Sequence, residues 1–232
     1  MASRPLFARR PLIGGAVPVS IAAMIILGVR YAGTRGPGRL DQRIDRRVES
    51  YLAGHPRALL DLINLANPAT MLLGSAALCM LFILLHRWRL AFYVVLGPAL
   101  CTALVDVVLK PLFDRRLAGG LSFPSGHTAA ASALALVVIV AVVGPNRPSW
   151  PAAFRVIVVL VAVAFAIAVA VALIGGGYHY ATDTVGGFLV AIASVLSVGL
   201  LIDAIAGQPR GESYVPTHTR RPDAELLPTV KA

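Results

Sequence analysis

The sequence predicts an all-α, polytopic membrane protein of six transmembrane helices, with an interfacial helix between the first and the second. Three observations predict it. Of 232 residues, 57% are hydrophobic and 14% charged, against roughly 45–50% and 25% in a soluble domain; the mean hydropathy is +0.77. The apolar residues gather in six runs, each close to the roughly 20 helical residues that cross a hydrocarbon core. Most charged residues lie in the connections and at the two ends.

The elements follow in order. Residues 1–11 form a basic tail with Arg4, Arg9 and Arg10. The run from Leu12 to Leu27, continuing to Ala32, has no small-residue cleavage site behind it, so it reads as an uncleaved first span. In the polar segment 33–57, Leu40, Ile44, Val48 and Leu52 recur every fourth position, with Arg43, Arg46, Arg47 and Glu49 between them. That pattern is an amphipathic helix, lying at the interface or packed on the protein. The second span covers Met71 to Leu85, reaches back to Leu59 across a break near Pro68, and ends in His86-Arg87-Trp88-Arg89. The third runs from Leu90 to Leu109, the fourth from His127 to Val143, the fifth from Val156 to Ile174 and the sixth from Thr184 to Ala206. Unpaired backbone groups are not tolerated in lipid, so even the Val/Ala-rich fifth run is helical. The membrane domain is thus 12–206, and residues 207–232 are a disordered polar tail.

An even number of spans puts both termini on one side. The tight connections carry Arg87, Arg89, Arg147 and Arg155, and the positive-inside rule makes that side cytoplasmic. The loops 110–126 and 175–183 then share the outer face with segment 33–57. The net charge of +10 sits in loops and tails, which fits topology and phosphate contacts rather than nucleic acid. Only Lys110 and Lys231 among the 21 cations are lysine; with abundant Ala, Val and Gly, this is the composition of a GC-rich bacterial genome. Cys79 and Cys101 lie in apolar runs as packing residues. No Cys/His cluster has metal-ligand spacing, no cofactor is implied, and oligomeric state leaves no signal.

Two stretches concentrate polar chemistry: Lys110 to His127 (KPLFDRRLAGGLSFPSGH) and Gly177 to Asp183 (GYHYATD). Ser125 is a good N-cap for the fourth span, and Gly126 lets an anion approach the helix amides. His179 and Asp183, spaced i, i+4, put a carboxylate beside one imidazole nitrogen and leave the other free to attack. His127 could protonate a leaving alkoxide, and Lys110, Arg115 and Arg116 could neutralise a transferring phosphoryl group. Asp106, one turn before Lys110, reads as its ion-pair partner. Tyr178 and Tyr180 read as interface anchors, and Gly175 to Gly177 as a flexible or closely packed turn.

These stretches resemble the type 2 phosphatidic acid phosphatase (PAP2) superfamily, which includes lipid phosphate phosphatases and relatives of vanadium haloperoxidases. Its second block, Pro-Ser-Gly-His, is complete at Pro124 to His127, and the His-x-x-x-Asp of its third is present at His179 and Asp183. The resemblance covers roughly residues 58–206. It implies a six-helix membrane fold and metal-independent catalysis. It makes His179 a nucleophile that forms a phosphohistidine, supported by Asp183, with His127 as general acid and Ser125 and Gly126 on phosphate oxygens. Two departures stand out. The first block's arginine, seven residues after its lysine, falls on Leu117, and the Ser-Arg of the third falls on Ala172-Leu173. Arg115 and Arg116 are expected to reach across in compensation. The expected activity is hydrolysis of a membrane lipid phosphate monoester or pyrophosphate at the outer face. Polyprenyl phosphates, phosphatidic acid and phosphatidylglycerol phosphate are unranked as substrates. The alternatives are a catalytically silent relative that binds or moves an anionic lipid, and a serine hydrolase using Ser125.

Overall fold

The computed structural model describes residues 5–8 and 10–206. The expected disordered tail at 207–232 lies outside the described residues. Five helices are long and apolar enough to cross a membrane: α1 (Arg10–Tyr31), the continuous run Trp88–Phe113, α7 (Gly126–Val143), α8 (Ala152–Gly175) and α9 (Ala181–Ala206). A sixth span is a broken pair, α3 (Pro56–Leu65) and α4 (Pro68–Leu84), bent by 48°. The break sits where Pro68 interrupts the run. The Asn67 side chain accepts from the Ala69 amide at 3.0 Å, so it caps α4, and Pro68 takes the first helical position.

The run Trp88–Phe113 is not uniform. It comprises α5 (Trp88–Ala103), a π-helical stretch Leu104–Leu109 and the single turn α6 (Lys110–Phe113). A two-stranded hairpin follows, β1 (Arg116–Leu117) against β2 (Gly120–Leu121), in a stretch expected to be plain loop. Helix α9 is central, packed against α1, α5 and α7. Small residues such as Ala129 and Ala133 on α7 and Ala191 on α9 are buried at these contacts, as close helix approach in a membrane requires. Leu72, Val161 and Leu201 face outward from the bundle.

Two segments outside the spans are tied to the bundle. Residues 5–8 are not a free basic tail. Leu6 and Phe7 are buried, and both amides donate to the Asp203 carboxylate, at 2.7 and 3.1 Å. The Phe7 ring meets Tyr93 edge-on. The second is α2 (Arg39–Leu52), the helix expected between the first two spans. Its apolar stripe is divided: Leu40 and Ile44 are 54% and 36% exposed, Val48 and Leu52 are half-buried with Leu52 against Gly175 of α8, and Asp41 and Asp45 on the neighbouring face are buried. The partners that turn it this way belong to the site described next.

Candidate active site

The site lies where α2, the hairpin, the start of α7 and the start of α9 meet. Ser125 ends the loop before α7. Its Oγ accepts from the Thr128 amide at 3.4 Å and from the Thr128 hydroxyl at 3.1 Å, an N-cap that leaves the Gly126 and His127 amides on the first turn. The Ser125 amide donates to the Asp183 carbonyl at 2.9 Å, joining the two polar loops through backbone. Glycine on α9 permits this approach: a Cβ at Gly187 would stand 2.7 Å from the Ser125 carbonyl oxygen.

Lys110 opens α6 directly after the π-helical stretch, a feature frequent at functional sites. Its ammonium pairs with Asp106 at 2.7 Å and lies 3.5 Å from where a Gly126 Cβ would be. A cation therefore stands over the α7 N-terminus, whose dipole also favours an anion.

His179 sits in the turn between α8 and α9, which bends at Gly177 with φ +70°. The Tyr178 and His179 amides both donate to the Leu173 carbonyl. The imidazole is 12% exposed, and its Nδ1 lies 3.6 Å from Asp183 Oδ2. That is outside hydrogen-bonding range, and Nδ1 has no other partner. His179 precedes α9, so the i, i+4 pair is formed by a turn and a first helical turn rather than along one helix.

Asp183 is held firmly on its other side. Oδ1 accepts from Arg115 at 2.6 Å, and Oδ2 accepts from the Tyr180 amide at 3.1 Å. The Arg115 side chain is fully buried and also donates to Asp41 at 2.7 Å and to Thr182 Oγ1 at 2.6 Å. Its guanidinium is sandwiched between the rings of Tyr31 and Tyr180, at 4.3 and 4.5 Å. Arg115, expected to grip phosphate, is thus enclosed by carboxylates and rings. Tyr180, expected as an interface anchor, is buried against it; burial first, partly offset by Arg115, raises its hydroxyl pKa.

Sequence reasoning missed Asp41 and Asp45. The Thr182 amide donates to Asp41 at 3.0 Å and the Ala181 amide to Asp45 at 3.0 Å, so α2 caps the N-terminus of α9 from outside. The signal available was their i, i+4 spacing, in line with Val48 and Leu52. Burial first, then the nearby charges of Asp41, Glu49 and Asp183, push Asp45 up to about 6, although the Ala181 amide pulls the other way.

Beside His179 opens a cleft of about 380 Å³, lined by Gln42, Asp45, Arg46 and Glu49 of α2, by Leu117 of the hairpin, and by Gly177 and Tyr180. Arg116 is 41% exposed and paired with Asp114 at 2.8 Å; it lines a separate depression with Arg35. Leu173 is sealed in an apolar cluster with Ala66, Ala131 and Val169. Among the described residues, no group of three His, Cys, Asp or Glu could hold a metal ion.

The family model described as the PAP2 superfamily matches residues 107–204. This stretch, 98 of the 232 residues, is similar to that superfamily. A crystal structure of "the first transmembrane PAP2 type phosphatidylglycerolphosphate phosphatase from Bacillus subtilis" is similar to the chain at a TM-score of 0.59 and 17% identity, covering 82% of this chain and 95% of that one. At that identity the likeness is one of fold. No curated protein matches the chain. The PAP2 stretch contains Lys110, His127, His179 and Asp183, while α2, with Asp41, Asp45 and Arg46, lies outside it.

Asp41→Ala leaves Arg115 with one carboxylate and takes the acceptor from the Thr182 amide. The expected loss is about 3–5 kcal/mol of unfolding stability, as for breaking a buried ion pair, read by denaturation in detergent. A loss below about 1 kcal/mol, the size of a surface pair, would contradict the burial. Asp45 gives a signed pH effect. Its folded pKa of about 6 lies above the ordinary 3.8, so the folded state binds the extra proton between those values and this group's contribution falls as pH rises through them. Asp45→Asn keeps an acceptor for Ala181 and removes the titration. The wild type should lose stability relative to this variant from pH 4 to 7; a parallel profile would refute it.

Proposed function

We propose that the protein hydrolyses a phosphate monoester or pyrophosphate of a membrane lipid through a phosphohistidine on His179, at the outer membrane face. The observation that carries this reading is the Ser125–Asp183 backbone bond. It holds the N-terminus of α7, with Lys110 above it, against the His179–Asp183 loop, which supports reading the two as anion site and nucleophile of one site. The similarity of residues 107–204 to the PAP2 superfamily supports the proposal, as does the fold shared with a phosphatidylglycerolphosphate phosphatase. The basic tight connections support cytoplasmic termini and an outward site.

In this mechanism Nδ1 of His179 carries its proton toward Asp183, leaving Nε2 to attack phosphorus. The Gly126 and His127 amides and Lys110 take the charge of the phosphoryl oxygens, and Ser125 holds that helix end in place. His127 protonates the departing lipid oxygen. Water then attacks the phosphohistidine, losing its proton to His127, and orthophosphate leaves. Arg115 acts as a positioning residue by fixing Asp183. Arg116, exposed on the hairpin, draws the anionic substrate in at long range.

A silent lipid-binding protein is the second reading, favoured by the enclosed Arg115 and the leucines at 117 and 173. A serine hydrolase is disfavoured, because Ser125 is fully buried and its Oγ accepts from Thr128. Phosphate release by detergent-purified protein over a panel of lipid phosphates tests the proposal. Turnover is expected, and His179→Ala should lower it on the order of 10⁴-fold or more. Retained turnover in that variant would remove the nucleophile assignment; silence of the wild type across the panel would favour lipid binding alone.

A further inference from the structure

We propose that Arg46, on α2, is the cation that grips the substrate phosphate beside His179. This rests on the hydrolase reading and names a residue outside the PAP2 stretch.

A phosphoryl group facing a nucleophile needs a charge-assisted donor close by. None of the other cations near the site lines the cleft beside His179. Arg115 is fully buried between Asp41 and Asp183. Lys110 pairs with Asp106 and stands over the α7 N-terminus. Arg116 pairs with Asp114 and lines a different depression.

The cleft holding His179 has Arg46 on its α2 wall and Leu117 on its hairpin wall. Arg46 Nε donates to the Gln42 carbonyl at 2.8 Å, one turn back. That bond orients the guanidinium and leaves its two terminal nitrogens, the fork that matches phosphate oxygens, without an ion pair among the described residues. Two carboxylates share the cleft. Asp45 is turned to the Ala181 amide, and Glu49, one turn beyond Arg46, forms no ion pair with it among the described residues. The element bearing Arg46 is anchored on the site by Asp41 and Asp45, so the guanidinium is presented from a fixed helix. Leu117 is also where the family pattern places an arginine. The charge missing from one wall is supplied by the other.

The test uses the full-length protein in detergent and reads two quantities: orthovanadate affinity by calorimetry, and kcat/KM on the best lipid phosphate. Arg46→Ala should weaken both on the order of 100-fold. Adding Leu117→Arg to that variant should restore about tenfold or more, because the new guanidinium enters the same cleft from the hairpin. Arg43→Ala and Arg47→Ala remove equal charge from the same helix outside the cleft and should change either quantity by less than about threefold. An Arg46→Ala variant within about threefold of wild type, a loss matched by Arg43→Ala, or a wild type that binds no vanadate would overturn the proposal. If the wild type binds vanadate yet releases no phosphate, the hydrolase reading fails while the affinity comparison still decides Arg46.

Discussion

The Arg115 guanidinium, buried between two aspartates and two aromatic rings, determines where the loop carrying His179 can sit. Taking this charge out of water is costly, and the structure offsets the penalty with three charge-assisted or polar contacts and two ring faces. The partners come from three helices and a loop: Tyr31 from α1, Asp41 from α2, Thr182 and Asp183 from α9, and Tyr180 from the turn before α9. Moving Asp41 or Asp183 away would leave a buried charge short of a carboxylate, so α2 and the start of α9 are held in register. The excess negative charge of Asp41, Asp45 and Asp183 is met in part by the free amides at the start of α9.

The arrangement gives α2 a role beyond lying at an interface. By capping α9 from outside, it orients the helix whose first turn carries Asp183, and its next turn forms one wall of the cleft beside His179. The opposite half of the site is built differently. There the π-helical stretch before Lys110, the Ser125 N-cap and the close approach at Gly187 bring an ammonium and helix amides together without any buried ion pair. The α7 N-terminus under Lys110 and the loop carrying His179 are thus joined at the Ser125–Asp183 backbone bond.

Much of this was legible in the sequence, for identifiable reasons. Hydropathy located the spans because lipid forces continuous apolar runs into helices. Pro68 located the break, and Ser125 announced a helix start. The Asp106–Lys110 pair followed from local spacing alone. The contacts that were missed are those made far along the chain. Leu40 and Ile44 share Val48 and Leu52 with Asp41 and Asp45, so a period-four pattern fits either face of α2. Only partners more than 70 residues away decide between them. Arg115 and Arg116 are adjacent, and nothing local says that one is swallowed while the other stays on the surface. Leu6 and Phe7 were hidden in a basic stretch, and their acceptor, Asp203, lies at the other end of the chain.

The most direct measurement is to capture the covalent intermediate. Purified protein is mixed with a lipid substrate bearing labelled phosphate, quenched in alkali during turnover, and the labelled peptide is mapped. A phosphohistidine mechanism predicts an alkali-stable, acid-labile phosphate on His179. Turnover with the label on another residue, or with no protein-bound phosphate at any quench time, would contradict it.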